Sequence, residues 1–104
     1  MTKYEIIITE SAKKDLKVIE RDDSEYVQKI IQKIEFCLGE HLFAPIKQCH
    51  KKKLKGKVNT HRLHVQRKYT VFYKVMGAKS NRFAQVHLIV GFEAAHQMYP
   101  HIDL

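Results

Sequence analysis

Histidine is the side chain in this sequence with the most obvious capacity for chemistry. There are seven histidines among 104 residues, and imidazole both takes and gives protons near neutral pH. Arg62 and His64 stand two apart in an alternating stretch, so they share one face of a predicted strand. His96 and Tyr99 are three apart in a predicted helical turn and therefore point the same way. A single histidine in a strand is more often structural than catalytic, so these shared faces single out the four residues.

Histidine beside arginine can cut RNA without a metal ion. A base removes the proton of the ribose 2′-hydroxyl, an acid protonates the leaving 5′-oxygen, and cations stabilise the charged phosphorane. We therefore expect His64 and His96 to transfer protons and Arg62 to hold phosphate. Tyr99 would assist or stack against a base; the alternative is that it packs the last helix onto the sheet.

The positive charge of the chain is confined to its middle. The formal net charge is +8, yet residues 41–92 contain 12 lysines and arginines and no acidic residue. Such asymmetry indicates a polyanionic partner, most often nucleic acid. A solvated loop is the alternative reading of the lysine cluster, but the cationic bias continues beyond it. The predicted RNA-contacting residues are Lys51, Lys52, Lys53, Lys55, Lys57, His61, Arg67 and Lys68.

Several classes of protein are disfavoured by the sequence. No apolar run approaches the roughly 18 residues that span a bilayer, and the first residues do not read as a signal peptide. Cys37 and Cys49 do not make a disulfide scaffold, so the cytoplasm is the default location. With His41 and His50 they are possible zinc ligands, but the spacing lacks the paired short repeats of common zinc sites. We therefore expect no metal, no small-molecule cofactor and no membrane partner.

The predicted elements form a single α+β domain over residues 1–104. Residues 4–9 predict a short strand, and the consecutive isoleucines within it predict burial on both faces. Two amphipathic helices follow, separated by a break at residues 21–23 and ended at Gly39. Because only about three residues join them, we expect an antiparallel helical hairpin.

The second half of the chain is predicted to build most of the sheet. Residues 40–57 are predicted as a loop. Three strands joined by short connections then predict an antiparallel meander, which forms one twisted sheet with the first strand. The predicted ranges of these strands and of a short C-terminal helix are 61–66, 69–76, 83–92 and 93–99.

Three stretches of sequence occur in a characteristic order. Residues 11–16 read SAKKDL at the start of the first predicted helix. KLKG at 53–56 is followed by HRLHV at 61–65 and YTVFYKV at 69–75. The last strand then precedes the histidine and tyrosine of the C-terminal segment. In this order and spacing, nearly the whole chain resembles the RelE/ParE superfamily of bacterial toxin–antitoxin toxins.

This resemblance implies a RelE-like fold with the order β-α-α-β-β-β-α and an endoribonuclease that inhibits translation. Members lie over mRNA, usually in the ribosomal decoding site, and cut it by 2′-hydroxyl attack. At the matched positions, Lys53 and Lys55 would contact RNA. Arg62 and His64 would take the basic positions on the strand. His96 and Tyr99 would take the positions where members place an acid, a base or a stacking group. The resemblance also implies an acidic cognate antitoxin that covers this surface.

One departure from the family pattern keeps other functions open. Thr70 stands where the family's Tyr-Arg-Val-x-Tyr motif has arginine, so a phosphate-stabilising cation is absent unless Arg62 or Arg67 replaces it. The family branch that inhibits DNA gyrase shares the fold and lacks an RNase site. A non-enzymatic gyrase inhibitor and a degenerate toxin that only binds antitoxin are therefore the alternatives. An enzyme should gather the side chains of His64, His96 and Tyr99 in one cleft. A gyrase inhibitor need not bring them together.

Overall fold

The computed structural model, which describes residues 3–102 and 104, contains one five-stranded sheet with helices on both faces. Across the sheet the strands lie in the order β1-β5-β4-β3-β2. The first strand runs parallel to β5, and all other neighbours are antiparallel. The strands are β1 Glu5–Ile8, β2 Lys52–Lys53, β3 His61–Val65, β4 Tyr69–Met76 and β5 Phe83–Gly91. The predicted α+β class and the antiparallel meander are confirmed.

Helix α1, Glu10–Ile34, folds back on itself at Asp23, whose φ of −157° and ψ of 61° are not helical. Close to this break, Tyr26 packs on Tyr69 with the ring centroids 5.4 Å apart. At the far end of the second segment, the carbonyl of Gly39 accepts backbone N–H groups that precede β1. The two segments of α1 are therefore antiparallel, as the predicted hairpin requires.

The main core lies between this hairpin and the sheet. Ala12 and Ile30 are fully buried, one from each segment of the hairpin. Fully burying an isoleucine side chain contributes roughly 1.5–3 kcal/mol, so the hairpin is held chiefly by its apolar stripe. The sheet residues that share this core are Leu63, Val65, Val71, Tyr73, Ala84, Val86 and Ile89.

A smaller core lies on the opposite face of the sheet, under helix α2, Phe92–Met98. Phe72 and Ala95 are fully buried there. A bulge in β5 adjusts the strand to both cores, because Phe72 pairs with Leu88 and the next residue of β4 pairs with Val86. His87 is left over by this register shift, so strict alternation along β5 does not hold.

Strand β1 is an edge strand with β5 as its neighbour. Ile7 is 39% exposed, so the predicted burial of β1 on both faces is wrong. Ile6 and Ile8 pack against the main core instead. A β-branched run favours a strand but does not distinguish an edge strand from a central one.

The predicted loop at residues 40–57 is wrong in part. A π-helical turn, Glu35–Glu40, continues α1 up to the start of this range. A 3₁₀ turn, Lys47–Cys49, and the two residues of β2 lie within it. The 3₁₀ turn and β2 are each too short to show a hydrophobic periodicity in the sequence. Strand β2 forms because the edge of β3 offers backbone hydrogen-bond partners.

The two cysteines form one buried disulfide, a pairing that the sequence did not predict. Cys37 and Cys49 are both fully buried, with their Cα atoms 5.8 Å apart. The bond joins the π-helical turn to the 3₁₀ turn, and Lys51 reinforces this junction. Its ammonium group donates to the carbonyls of Cys37, His41 and Leu42. The bond uses both thiols. No helix in the described part of the chain could cross a membrane.

We expect the disulfide to stabilise the fold. Cys37 and Cys49 are 12 residues apart, and closing a loop of about that length restricts the unfolded chain by about 3 kcal/mol. The Cys37→Ser, Cys49→Ser double variant should lose about this much free energy of unfolding in urea titrations. Wild-type protein treated with dithiothreitol should match the variant. Equal urea midpoints for oxidised, reduced and variant protein would contradict the prediction.

Candidate active site

The candidate site lies on the face of the sheet that carries α2. Alternation in β3 sends Leu63 and Val65 into the main core, and therefore turns Arg62 and His64 to the other face, as predicted. Helix α2 follows β5 without an intervening loop, so its side chains lie directly over the neighbouring strands. The rings of His64 and His96 have their centroids 6.2 Å apart.

The C-terminal segment completes this cluster. The ring centroids of His96 and Tyr99 are 5.1 Å apart, as their spacing of three predicts. His96 is exposed, whereas Tyr99 is partly buried with its ring edge against Phe72, 5.8 Å away. An exposed imidazole therefore lies beside an anchored phenol. We name this cluster the α2-face site, defined by Arg62, His64, His96 and Tyr99.

Phe92 is a member of the cluster that sequence reasoning missed. Its ring centroid lies 4.7 Å from that of His64 and 4.5 Å from that of His96. Its backbone N–H donates to the carbonyl of Lys68, which anchors the start of α2 to the β3–β4 turn. The available signal was its helical i, i+4 spacing from His96.

His64 is held as a neutral imidazole. It is 9% exposed, and its Nδ1 lies 3.0 Å from the hydroxyl of the fully buried Thr70. Burial lowers the pKa of His64 to about 4, because a charged ring loses hydration there. Thr70 therefore positions a histidine and contributes no charge. The positive groups that lower the pKa of His64 further are Arg62, His96, His50 and Arg67.

Tyr99 presents a buried phenol. Its hydroxyl has no hydrogen-bond partner of ordinary geometry among the described residues. Burial raises the pKa of Tyr99, and the nearby Arg62 charge and Thr70 side chain oppose this rise only in part. The group is therefore a proton donor at neutral pH. A buried polar group without a partner costs free energy, so a bound acceptor would relieve that cost.

Arg62 is oriented by the segment that the disulfide anchors. Its Nη1 donates to the carbonyl of His50 at 2.7 Å. His50 directly follows the disulfide residue Cys49 and has a left-handed φ of 51°. One bond leaves most of the five guanidinium donors for other acceptors. Nothing in the local sequence indicated that the backbone of His50 would lie here.

The predicted RNA-contacting residues divide between the two faces of the sheet. In the β2–β3 pair, Lys52 lies opposite Arg62, and Lys53 lies opposite His61. Side chains of residues paired in this way share a face. The backbone position of Lys52 is therefore on the same face as that of Arg62. Lys53 and His61 lie on the hairpin face, so the structure does not bring them to that site.

The remaining predicted contacts have different surroundings. The ammonium group of Lys51 is engaged by the main chain of the π-helical turn. That of Lys68 forms a 2.6 Å ion pair at the hairpin break, and that of Lys57 donates to a C-terminal carbonyl at 3.2 Å. Lys55 and Arg67 are exposed in turns, and the charge of Arg67 is felt at the α2-face site.

Comparison with solved structures identifies the fold. The chain is similar to a YoeB/ParE toxin from Agrobacterium tumefaciens, with a TM-score of 0.66 and 19% sequence identity. The match covers 84% of this chain and 97% of that one. No protein-family model and no curated protein sequence matches the chain. The architecture is thus that of the RelE/ParE-type toxins. The fold implied by the sequence resemblance is confirmed.

The low pKa of His64 predicts a pH dependence of stability. The pKa is about 4 in the folded protein and about 6.5 for an ordinary histidine. Below pH 6.5 the unfolded chain takes up this proton first, so the free energy of unfolding should fall as the pH drops from about 6.5 towards 4. In urea titrations across this range, His64→Gln should lose less stability than the wild type. Parallel curves for the two proteins would contradict the assignment.

Proposed function

We propose that this protein is the toxin of a toxin–antitoxin system and cleaves mRNA without a metal ion. One observation carries the proposal. Two histidines, a tyrosine and an arginine meet on one face of the sheet. Arg62 and His64 belong to residues 41–92, which contain no acid, and His96 and Tyr99 follow on α2. A cluster of this composition suits a phosphodiester with an adjacent hydroxyl, because it offers proton transfer beside positive charge.

The proposed reaction follows from the surroundings of each group. The exposed imidazole of His96 takes the proton of the ribose 2′-hydroxyl, and the 2′-oxygen forms a bond to phosphorus. The bond from phosphorus to the 5′-oxygen then breaks, and the protonated phenol of Tyr99 gives a proton to that oxygen. The products are a 2′,3′-cyclic phosphate and a free 5′-hydroxyl.

The other members of the α2-face site have complementary tasks. The buried phenol of Tyr99 is protonated, so it donates a hydrogen bond to the phosphate or a proton towards the leaving oxygen. Arg62 offsets the negative charge that develops on the phosphorane. His64, neutral and bonded to Thr70, is left with its second ring nitrogen for proton transfer.

The proposed partners follow from the charge of the same surface. The chain would act in the cytoplasm on mRNA held by the ribosome, where Lys52, Lys55 and Arg67 would face phosphates. Each phosphate contact on a single strand should contribute a slope of about −0.7 to log affinity against log salt. An acidic antitoxin would neutralise this surface and block the α2-face site.

We expect His96→Ala to abolish most cleavage. Losing a proton-transfer group typically costs about 10²–10⁴-fold in rate. The measurement is expression in bacteria, with growth followed and mRNA 5′ ends mapped by primer extension. His101→Ala is the matched control, because His101 is an exposed histidine of the same segment. Cleavage by His96→Ala at the wild-type level would remove His96 from the mechanism. Inhibition of DNA supercoiling without mRNA loss would favour the gyrase inhibitor instead.

Tyr99→Phe tests the phenol separately from the ring. The variant keeps the packing on Phe72 and removes only the buried hydroxyl. We expect its stability to be unchanged or slightly raised, while cleavage falls at least tenfold. Thermal unfolding and the same primer-extension assay measure the two effects. Full cleavage by a stably folded Tyr99→Phe variant would leave Tyr99 a packing role alone.

A further inference from the structure

A second basic cavity lies on the hairpin face of the sheet, on the other side from His96. Its volume is about 580 Å³, and it opens between residues 42–45 and the edge formed by β2, β3 and β4. A cavity of this size is within the range that accommodates small organic ligands. We name it the hairpin-face cavity. Its chemically distinctive lining residues are Phe43, Lys53, Asn59, His61, Tyr73 and Arg82.

One wall of this cavity is aromatic and held in place. The rings of His61 and Tyr73 stack nearly parallel, 19° apart in plane, with centroids 5.2 Å apart. The side-chain amide of Asn59 donates to the carbonyl of Val75 at 2.8 Å, and its oxygen accepts the N–H of Val75 at 3.1 Å. The same oxygen lies 3.3 Å from Nε2 of His61. These contacts fix the imidazole ring before any ligand arrives.

A second aromatic surface comes from the loop. Phe43 is 59% exposed, although it is one of the largest apolar side chains of the protein. The edge of its ring meets Tyr4, with centroids 5.7 Å apart. This contact holds the ring at the mouth of the cavity. Exposed aromatic faces of this kind are the surfaces on which nucleobases stack.

The other wall is cationic. Lys53 is exposed, and its charge lowers the pKa of His61 further than burial alone does. Arg82 is exposed as well, and its Nη1 donates to the carbonyl of Gly77 at 2.9 Å, which holds the guanidinium at the cavity edge. None of the described residues that line the cavity is acidic. These charges therefore lack an anionic partner within the cavity.

We propose that the hairpin-face cavity binds a nucleotide, with the base stacked on His61 or Phe43 and the phosphate held by Lys53 and Arg82. The nucleotide could belong to a single-stranded RNA or be free in solution, and the chemistry of recognition is the same. An RNA source fits the edge strand β2, where Lys52 pairs with Arg62 of the α2-face site, Lys53 pairs with His61, and both lysines line the cavity. A strand passing around that edge would meet both lysines.

The proposal is tested by NMR titration with two probes. One is adenosine 5′-monophosphate, and the other is a short oligoribonucleotide whose 2′-hydroxyls are methylated so that it cannot be cleaved. We expect the resonances of His61 and Phe43 to shift on binding. Shifts with the oligonucleotide alone identify an RNA strand as the source, and equal site affinity for the mononucleotide identifies a free nucleotide.

Matched variants separate a cavity from general attraction to positive charge. Phe43→Leu and Arg82→Ala should each weaken binding about tenfold, by removing a stacking surface and a phosphate contact. Lys79→Ala removes one exposed charge outside the cavity and should have less than a twofold effect. Equal weakening by Lys79→Ala and Arg82→Ala, or shifts confined to the α2-face site, would overturn the proposal.

The result is independent of the proposed cleavage. His96→Ala should bind both probes at the hairpin-face cavity as the wild type does. If His96→Ala loses cleavage and still binds the probes at the hairpin-face cavity, the lost activity is assigned to the α2-face site alone. Absence of binding with cleavage intact overturns the second site and leaves the proposed ribonuclease unaffected.

Discussion

The alternation of side chains along β3 is the constraint on which both surfaces of this protein depend. Leu63 is fully buried and Val65 is 1% exposed against the helical hairpin. A shift of one residue would turn these side chains away from the main core and push Arg62 and His64 into it. Burial therefore sets the register of the strand, and the register determines which groups reach the α2-face site.

The disulfide region links that packing to the orientation of a charge. Cys49 is tied to the buried end of the hairpin, and the next residue, His50, supplies the carbonyl that receives Arg62. The ammonium group of Lys51 then donates hydrogen bonds to carbonyls at the end of the π-helical turn. Three consecutive residues thus connect the core, the guanidinium and the helix end. A conformational change in this segment would reach the site through Arg62.

The positive charge is compensated within the protein at only a few of its positions. Lys68 pairs with Asp23, and Lys51 is solvated by carbonyls. Among the described residues, the exposed lysines of β2, Lys52 and Lys53, form no ion pair. Their mutual repulsion disfavours the folded state. Binding of phosphates would offset it, which is why charge and function are connected in this half of the chain.

The sequence by itself determined what depends on local periodicity. It determined the range of β4, the break in α1, and the shared faces of Arg62 with His64 and of His96 with Tyr99. Only tertiary structure decided the features that need partners far along the chain. The exposed face of β1, strand β2, the bulge in β5 and the pairing of the cysteines belong to this group. The same holds for the contact that makes Thr70 a partner of His64 and for the division of neighbouring lysines between two faces. Periodicity reports which side of an element is apolar, but it carries no information about which distant group completes a hydrogen bond, a disulfide or a cavity.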